Sequence, residues 1–319
     1  MSWVYINPII SFPVSAKFLV MKKILLYFLF MLLASNMQAQ LLWEVAKNGL
    51  RQKSYIFATE KLIPISFLDS IPQIYECYAK CPVIVTEMLL NTDAREPIEK
   101  AALLPHNQTL KQFYSAEEYA LIDSTLSQAL KMDFSYLTTL RPIFLTELYK
   151  TELYKSYLHY QEEHSSEMFF QLVATEQGRK VVPLDNTNEV IQMTFYRKNL
   201  DTQLAELLRL VQHPEPEIMQ AQEIVRLYKR GLLYDISYII QAPSNKTSIN
   251  YTDYTFIKQR NNRWVPQLHA LMKEQSCFIV LHSSYLGGEE GLLQLLRREG
   301  FRVRPVNRRI SSQSIKRTH

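Results

Sequence analysis

The stretch Phe278–Val306, FIVLHSSYLGGEEGLLQLLRREGFRVRPV, limits what this chain can fold into more than any other. Phe278-Ile279-Val280-Leu281 is too short for a free-standing helix and suits a strand covered on both faces. Gly287-Gly288 frees the backbone for a tight turn. Glu289 and Glu290 then fall where a first helical turn favours carboxylates. Leu292, Leu293, Leu295 and Leu296 give that helix an apolar face, and Gly300 stops it. The unit is strand, turn, helix, strand, and in α/β proteins the loop after such a strand is where sites are built. Here the loop carries His282, Ser283, Ser284 and Tyr285.

Upstream, Leu42 to Phe57 reads as a hairpin turning at Asn48-Gly49. Phe67–Lys80 is expected to be one helix leading to the strand Val83–Thr86, which ends at Glu87. From about Glu96 to Tyr160 the pattern is helical with breaks. Ser115 and Glu118 form a capping box, and Leu140-Arg141-Pro142 opens a further helix. Ser166–Leu184 is a second helix-then-strand unit, closing at Gly178 before Val181-Val182-Pro183-Leu184. Residues 188–241 return to helices, broken at His213-Pro214-Glu215-Pro216. Gln241–Thr252 is a polar loop, and Tyr254–Lys273 is a long helix with Pro266 inside it. The order predicts one α/β or α+β domain. Its central mixed sheet is built from two related strand-helix units and flanked by helices, with a long helical insert.

The first 39 residues stand apart from that core. Met21-Lys22-Lys23, the apolar run ILLYFLFMLLAS (24–35) and the small exit residue Ala39 describe a signal peptide. Residues 1–20 precede Met21, a good start methionine, and read as a mis-called upstream extension. A retained signal anchor is the alternative, and the only membrane attachment the sequence suggests. Removing residues 1–39 lowers the net charge from +5 to about +2, with part of the remainder in the polar basic tail 307–319. Such a tail points to no nucleic acid. Export permits disulfides, but the three cysteines are odd in number, and Cys77 and Cys81 share a helix face at i, i+4. They read as small buried hydrophobes.

Five segments, in order, carry a resemblance. LLWEVAKNGLRQKSYIFATEKLIP, VIVTEM, VVPLDN, TFIKQRNNRW and the terminal unit with Leu286, Gly288, Gly291, Gly300, Phe301 and Pro305 are similar to the TraB/GumN family, which includes the TIKI-type metalloproteases. The resemblance spans about 41–306. It implies metal-dependent hydrolysis, with two G-x-x-H motifs and a strand-end glutamate lining one site and an Arg-Asn pair nearby. Histidine and carboxylate ligands on neighbouring strand ends can hold a zinc or manganese ion with a position open for water. Carried onto this chain, the glutamate is Glu87 and the pair is Arg260-Asn261. The first motif stands as Ala58-Thr59-Glu60-Lys61 and the second as His282-Ser283-Ser284-Tyr285, so both glycines and both histidines are replaced.

Three readings of those positions follow. In one, Lys61 neutralises Glu87 where a cation sat and Tyr285 fills the other ligand's volume, with no cofactor. In the second, Glu60, Glu87 and His282 form a substituted metal set. In the third, Ser283 or Ser284 beside His282 acts as a nucleophile, although G-x-S-x-G is absent. Arg260-Asn261 either ties down carboxylates and carbonyls or binds substrate. The first reading is favoured: a secreted or cell-envelope protein that binds or scaffolds, the alternative being an active peptidase-like hydrolase. The tyrosines 149, 154, 157 and 160 on one helix face read first as core and rim packing, and they are also the best place to expect a peptide, protein or haem-like partner.

Overall fold

A computed structural model describes residues 40–50, 52–89, 95–161, 165–241 and 254–306. The expected leader, most of the polar loop and the basic tail lie outside these residues. Strands β1 (Leu42–Ala46) and β2 (Ser54–Thr59) form the hairpin, with Gly49 at φ +88° in its turn. β3 (Val83–Thr86), β4 (Lys180–Pro183), β5 (Cys277–His282) and β6 (Arg302–Pro305) complete one sheet in the order β4-β3-β5-β2-β1-β6. The four strands β4, β3, β5 and β2 run parallel, so their carboxyl ends share one edge of the sheet. β1 is antiparallel to both β2 and β6. The mixed sheet and helical insert are those expected from the sequence.

β5 is the central element. Its residues Cys277–Leu281 are wholly buried, as a strand between two parallel neighbours and under helices should be. Helices follow the sequence signals closely. α1 (Ile74–Ala79) is shorter than expected, because Ile71 is extended before Pro72 and Gln73 takes φ 61°. The ring of Pro72 disfavours a helical residue before it, so Phe67–Lys80 splits into a 3-10 turn (Ile65–Ser70) and α1. α2 (Arg95–Ala101), α3 (Ala116–Leu130) with its Ser115–Glu118 capping box, and α4 (Pro142–Leu158) make the first part of the insert. α5 (Ser166–Glu176) precedes β4. α6 (Thr187–Ile191), α7 (Leu200–Gln212), α8 (Glu215–Lys229) and α9 (Leu233–Gln241) follow it. α10 (Tyr254–Glu274) leads to β5 and α11 (Leu292–Arg298) to β6. Gly291 caps α11, so Glu289 and Glu290 sit in the turn before the helix rather than inside its first turn.

Among the described residues, three apolar clusters hold these elements. One surrounds the sheet and includes Phe57, Phe170, Trp264 and Phe278; a second joins α3, α4, α7 and Ile218 of α8; a third packs Ala101 of α2 and Ala102 with Ile191 of α6 and Phe195. α8 contributes Ile224, Leu227 and Tyr228 to the sheet cluster as well, and so ties the insert to the strand ends. Cys77, Cys81 and Cys277 are free and buried, and burial pushes each thiol up to about 11, 11 and 12. They are inert packing groups.

Candidate functional site at the strand ends

The parallel strands bring four acidic or basic positions into a row. In spatial order along the sheet edge stand Asp185 after β4, Glu87 after β3, His282 closing β5 and Glu60 after β2. Main-chain bonds keep the row in register: Asp185 N donates to Glu87 O at 2.9 Å, and Thr59 faces His282.

Glu87 uses both carboxylate oxygens. Oε1 accepts the His282 backbone N–H at 2.7 Å, and Oε2 meets a guanidinium nitrogen of Arg260 at 2.9 Å. Arg260 also grips Asp185, with Nε at 2.8 Å and a terminal nitrogen at 2.7 Å from Oδ2. Its plane lies against Trp264 and Tyr285, 4.4 and 4.5 Å from the ring centres. Arg263 and the Trp264 indole N–H reach the second oxygen of Asp185, which is completely buried. Burial works against the charge on Arg260, but Glu87, Tyr285 and Asp185 outweigh it and hold the guanidinium more firmly protonated. Asn261 donates to the carbonyls of Tyr285, at 2.9 Å, and Glu290, at 2.8 Å. The Arg260-Asn261 pair is therefore the clamp that ties α10 to the strand ends.

Glu60 forms the other end of the row. It accepts from Ser283 Oγ at 2.9 Å and lies 3.4 Å from His282 Nε2. Burial would raise its carboxyl, but His282, Ser283 and the Lys61 backbone hold it below the usual carboxylate range. Burial likewise opposes the charge on His282, yet Glu60, Glu87 and Glu167 together lift the imidazole to about 9. His282 Nδ1 lies 2.8 Å from Ser284 Oγ.

The expected Lys61–Glu87 pair is replaced by the Arg260–Glu87 pair. Lys61 is exposed, because it follows β2 on the outward side while Arg260 descends from α10 onto the carboxylates. Lys61→Ala is accordingly expected to change unfolding free energy by no more than about 0.5 kcal/mol in urea denaturation. Ala58 is buried in β2, and its carbonyl accepts from the Tyr228 hydroxyl at 2.6 Å. Tyr285 packs against Trp264 at 5.1 Å between ring centres, its phenol pushed by burial up to about 12. It does fill space beside the row.

The residue that sequence reasoning misses is Glu167, in the first turn of α5. One of its oxygens accepts from the Thr86 hydroxyl and, at 3.3 Å, from the Glu87 backbone N–H. Burial, and then the charge of Glu87, push its carboxyl up to about 7. Nothing in its local sequence distinguishes it from an ordinary helix-start glutamate. Glu289 and Glu290 pair instead with Arg298 and Lys258 near the surface. Of the other histidines, His106, His159 and His213 are exposed, His269 packs on Phe301, and His164 lies outside the described residues.

A family model, the TraB/PrgY/gumN family, matches residues 41–305. The chain belongs to the TraB/PrgY/gumN family. The match spans β1 to β6 and both strand-helix units, so the whole strand-end row lies inside the family domain. No curated protein and no solved structure matches the chain.

The pKa shifts along this strand-end row set a pH dependence. His282 is raised from 6.5, so its contribution to stability is complete below about 6.5 and is lost as pH rises through about 9. Glu167 is raised from 4.5, so its contribution is likewise lost as pH rises through about 7. Glu60 runs the other way, stabilising above 4.5 and losing that effect in acid. The melting temperature is expected to fall between about pH 6 and about pH 9.5, and Glu60→Gln should flatten the upper part of that fall. A constant melting temperature across this range would contradict the assignment.

Proposed function

We propose that this TraB/PrgY/gumN protein has lost metal-dependent hydrolysis and acts as a secreted binding or scaffold protein in the cell envelope. The observation that carries the reading is the state of Glu87. Its two oxygens are committed to Arg260 and to the His282 backbone, the positions a bound cation would have to take. The remaining donors fit an ion poorly. Glu60 is held by His282 and Ser283, and a protonated imidazole has no lone pair to offer. Lys61 and Tyr285 stand where the family pattern has histidines. Arg260 supplies the positive charge that keeps two carboxylates at the strand ends without a metal.

A partner surface is available beside this row. Tyr149 and Tyr154 of the aromatic face are buried, so they serve packing. Tyr157, Tyr160 and His159 at the end of α4 line a groove of about 540 Å³ with Leu62, Pro64 and Lys229. Half-exposed aromatic rings with polar tips suit an extended peptide segment.

The test is Glu87→Ala, followed by metal content and melting temperature together. A lower melting temperature with no metal in either protein supports the reading. A parent protein that carries metal, and a variant that loses it while staying folded, would favour the alternative, a hydrolase using Glu60, Glu87 and His282.

A further inference from the structure

We propose that Ser284 is a nucleophile for metal-independent acyl transfer, with His282 as its base and Glu60 as the residue that positions the imidazole. Ser284 Oγ lies 2.8 Å from His282 Nδ1, and the Ser284 backbone N–H points at the same nitrogen from 3.3 Å. In the neutral ring Nδ1 therefore accepts, and the proton sits on Nε2, which faces Glu60 at 3.4 Å. Glu60 is itself buried and held by Ser283 at 2.9 Å, so the ring has a fixed orienting partner. Serine, histidine and carboxylate thus form one connected chain, recognised by geometry and not by sequence order.

The chain opens on a cavity. Ser284, His282 and Glu60 line a space of about 190 Å³ together with Leu62, Ile224 and Lys150. Leu62 and Ile224 give it an apolar wall. Lys150 is a buried cation, which Glu147, Tyr154 and Glu217 keep charged against the opposing effect of burial. A site of this size, with that apolar wall, suits an ester of a short, uncharged acyl group, while Lys150 stays paired with Glu147 at 3.0 Å and Glu217 at 3.5 Å.

In the step, Ser284 Oγ attacks the acyl carbon while its proton passes to Nδ1. The carbon–oxygen bond to the alcohol breaks, and the alcohol leaves with that proton. Water then attacks the acyl-serine by the same route, giving the carboxylic acid and restoring the hydroxyl.

This activity goes beyond the binding role and requires only that no metal take part, so it is tested in chelator. The full-length protein is treated with a fluorophosphonate at about pH 7 and at about pH 9.5, conditions that bracket imidazole protonation. The serine oxygen bonds phosphorus and fluoride leaves. Peptide mass spectrometry then locates the adduct. The groups facing His282 are Glu60, Glu87 and Glu167, with Lys61, Glu147 and Lys150 across the cavity. We expect one adduct on Ser284, absent in Ser284→Ala and formed about 100-fold more slowly in His282→Gln. In Glu60→Gln the pH at which labelling sets in should fall, whereas a purely structural loss would lower labelling equally at both values. Absence of an adduct on Ser284 in the parent protein at both pH values overturns the proposal, whatever the variants do. Metal content is measured separately, so this result and the fate of the metal-free reading stay distinct.

Discussion

Arg260→Ala is expected to lower the unfolding free energy by about 3–5 kcal/mol, among the largest effects of any single side chain. The guanidinium is nearly inaccessible and lies between two carboxylates, Glu87 at 2.9 Å and Asp185 at 2.7 Å. Deleting it leaves Glu87 with the His282 backbone N–H as its partner and strips one oxygen of a fully buried Asp185. An unpaired carboxylate in that place must be desolvated without compensation or take up a proton. The stacking of Arg260 on Trp264 and Tyr285 disappears as well. Arg260→Lys should restore only part of the loss, because an ammonium cannot bridge two carboxylates with a planar fork. Arg263→Ala is the control: that side chain is 43% exposed, and its removal should cost less than about 1 kcal/mol. Guanidinium denaturation of the three variants checks the ranking, and a neutral Arg260→Ala would contradict this account of the row.

Gly287→Ala is expected to cost about 3 kcal/mol or more. A Cβ at Gly287 would approach both the Leu233 carbonyl of α9 and Ser237 Oγ to under 3.0 Å. One of these is backbone, so neither a rotamer change nor a small side-chain shift relieves the clash. The turn after β5 and helix α9 pack directly on each other, and the missing side chain is what lets them approach. Gly178→Ala provides the comparison. Its surroundings are open and its φ is +65°, so only the left-handed backbone penalty applies, about 1–2 kcal/mol. Because the turn at Gly287 carries Ser283–Tyr285, Gly287→Ala should also lower the fluorophosphonate labelling of Ser284. Equal melting temperatures for Gly287→Ala and the parent would show that the approach is looser than drawn.

Much of the fold was legible because its signals are local. The capping box at Ser115, the proline opening α4, the break at His213-Pro214 and the glycine after α11 each act within a few residues, and each falls where the chain turns. The split at Pro72 was equally local, and the apolar spacing of Phe67–Lys80 hid it. The strand-end row was half legible. Resemblance picks out Glu87, Arg260 and Asn261; Glu87 and Arg260 meet in the structure, while Asn261 holds the Tyr285 and Glu290 carbonyls of the adjoining turn. Which cation meets Glu87 was not legible, since Lys61 is near in the pattern while Arg260 comes from a helix 173 positions away in sequence from Glu87. Glu167 and Lys150 were invisible for a related reason. Each sits on a helix with ordinary local chemistry, and only the packing of α5 and α4 against the rest gives it buried charged neighbours.

The central claim is that protein cations replace a metal at the strand ends. Elemental analysis of the protein, purified without chelator or histidine tag and incubated with excess zinc and manganese before desalting, tests it most directly. The account predicts no retained ion above the buffer background. Retention of close to one ion per chain, lost in Glu87→Ala, would contradict it and return Glu87, Glu60 and His282 to the role of ligands.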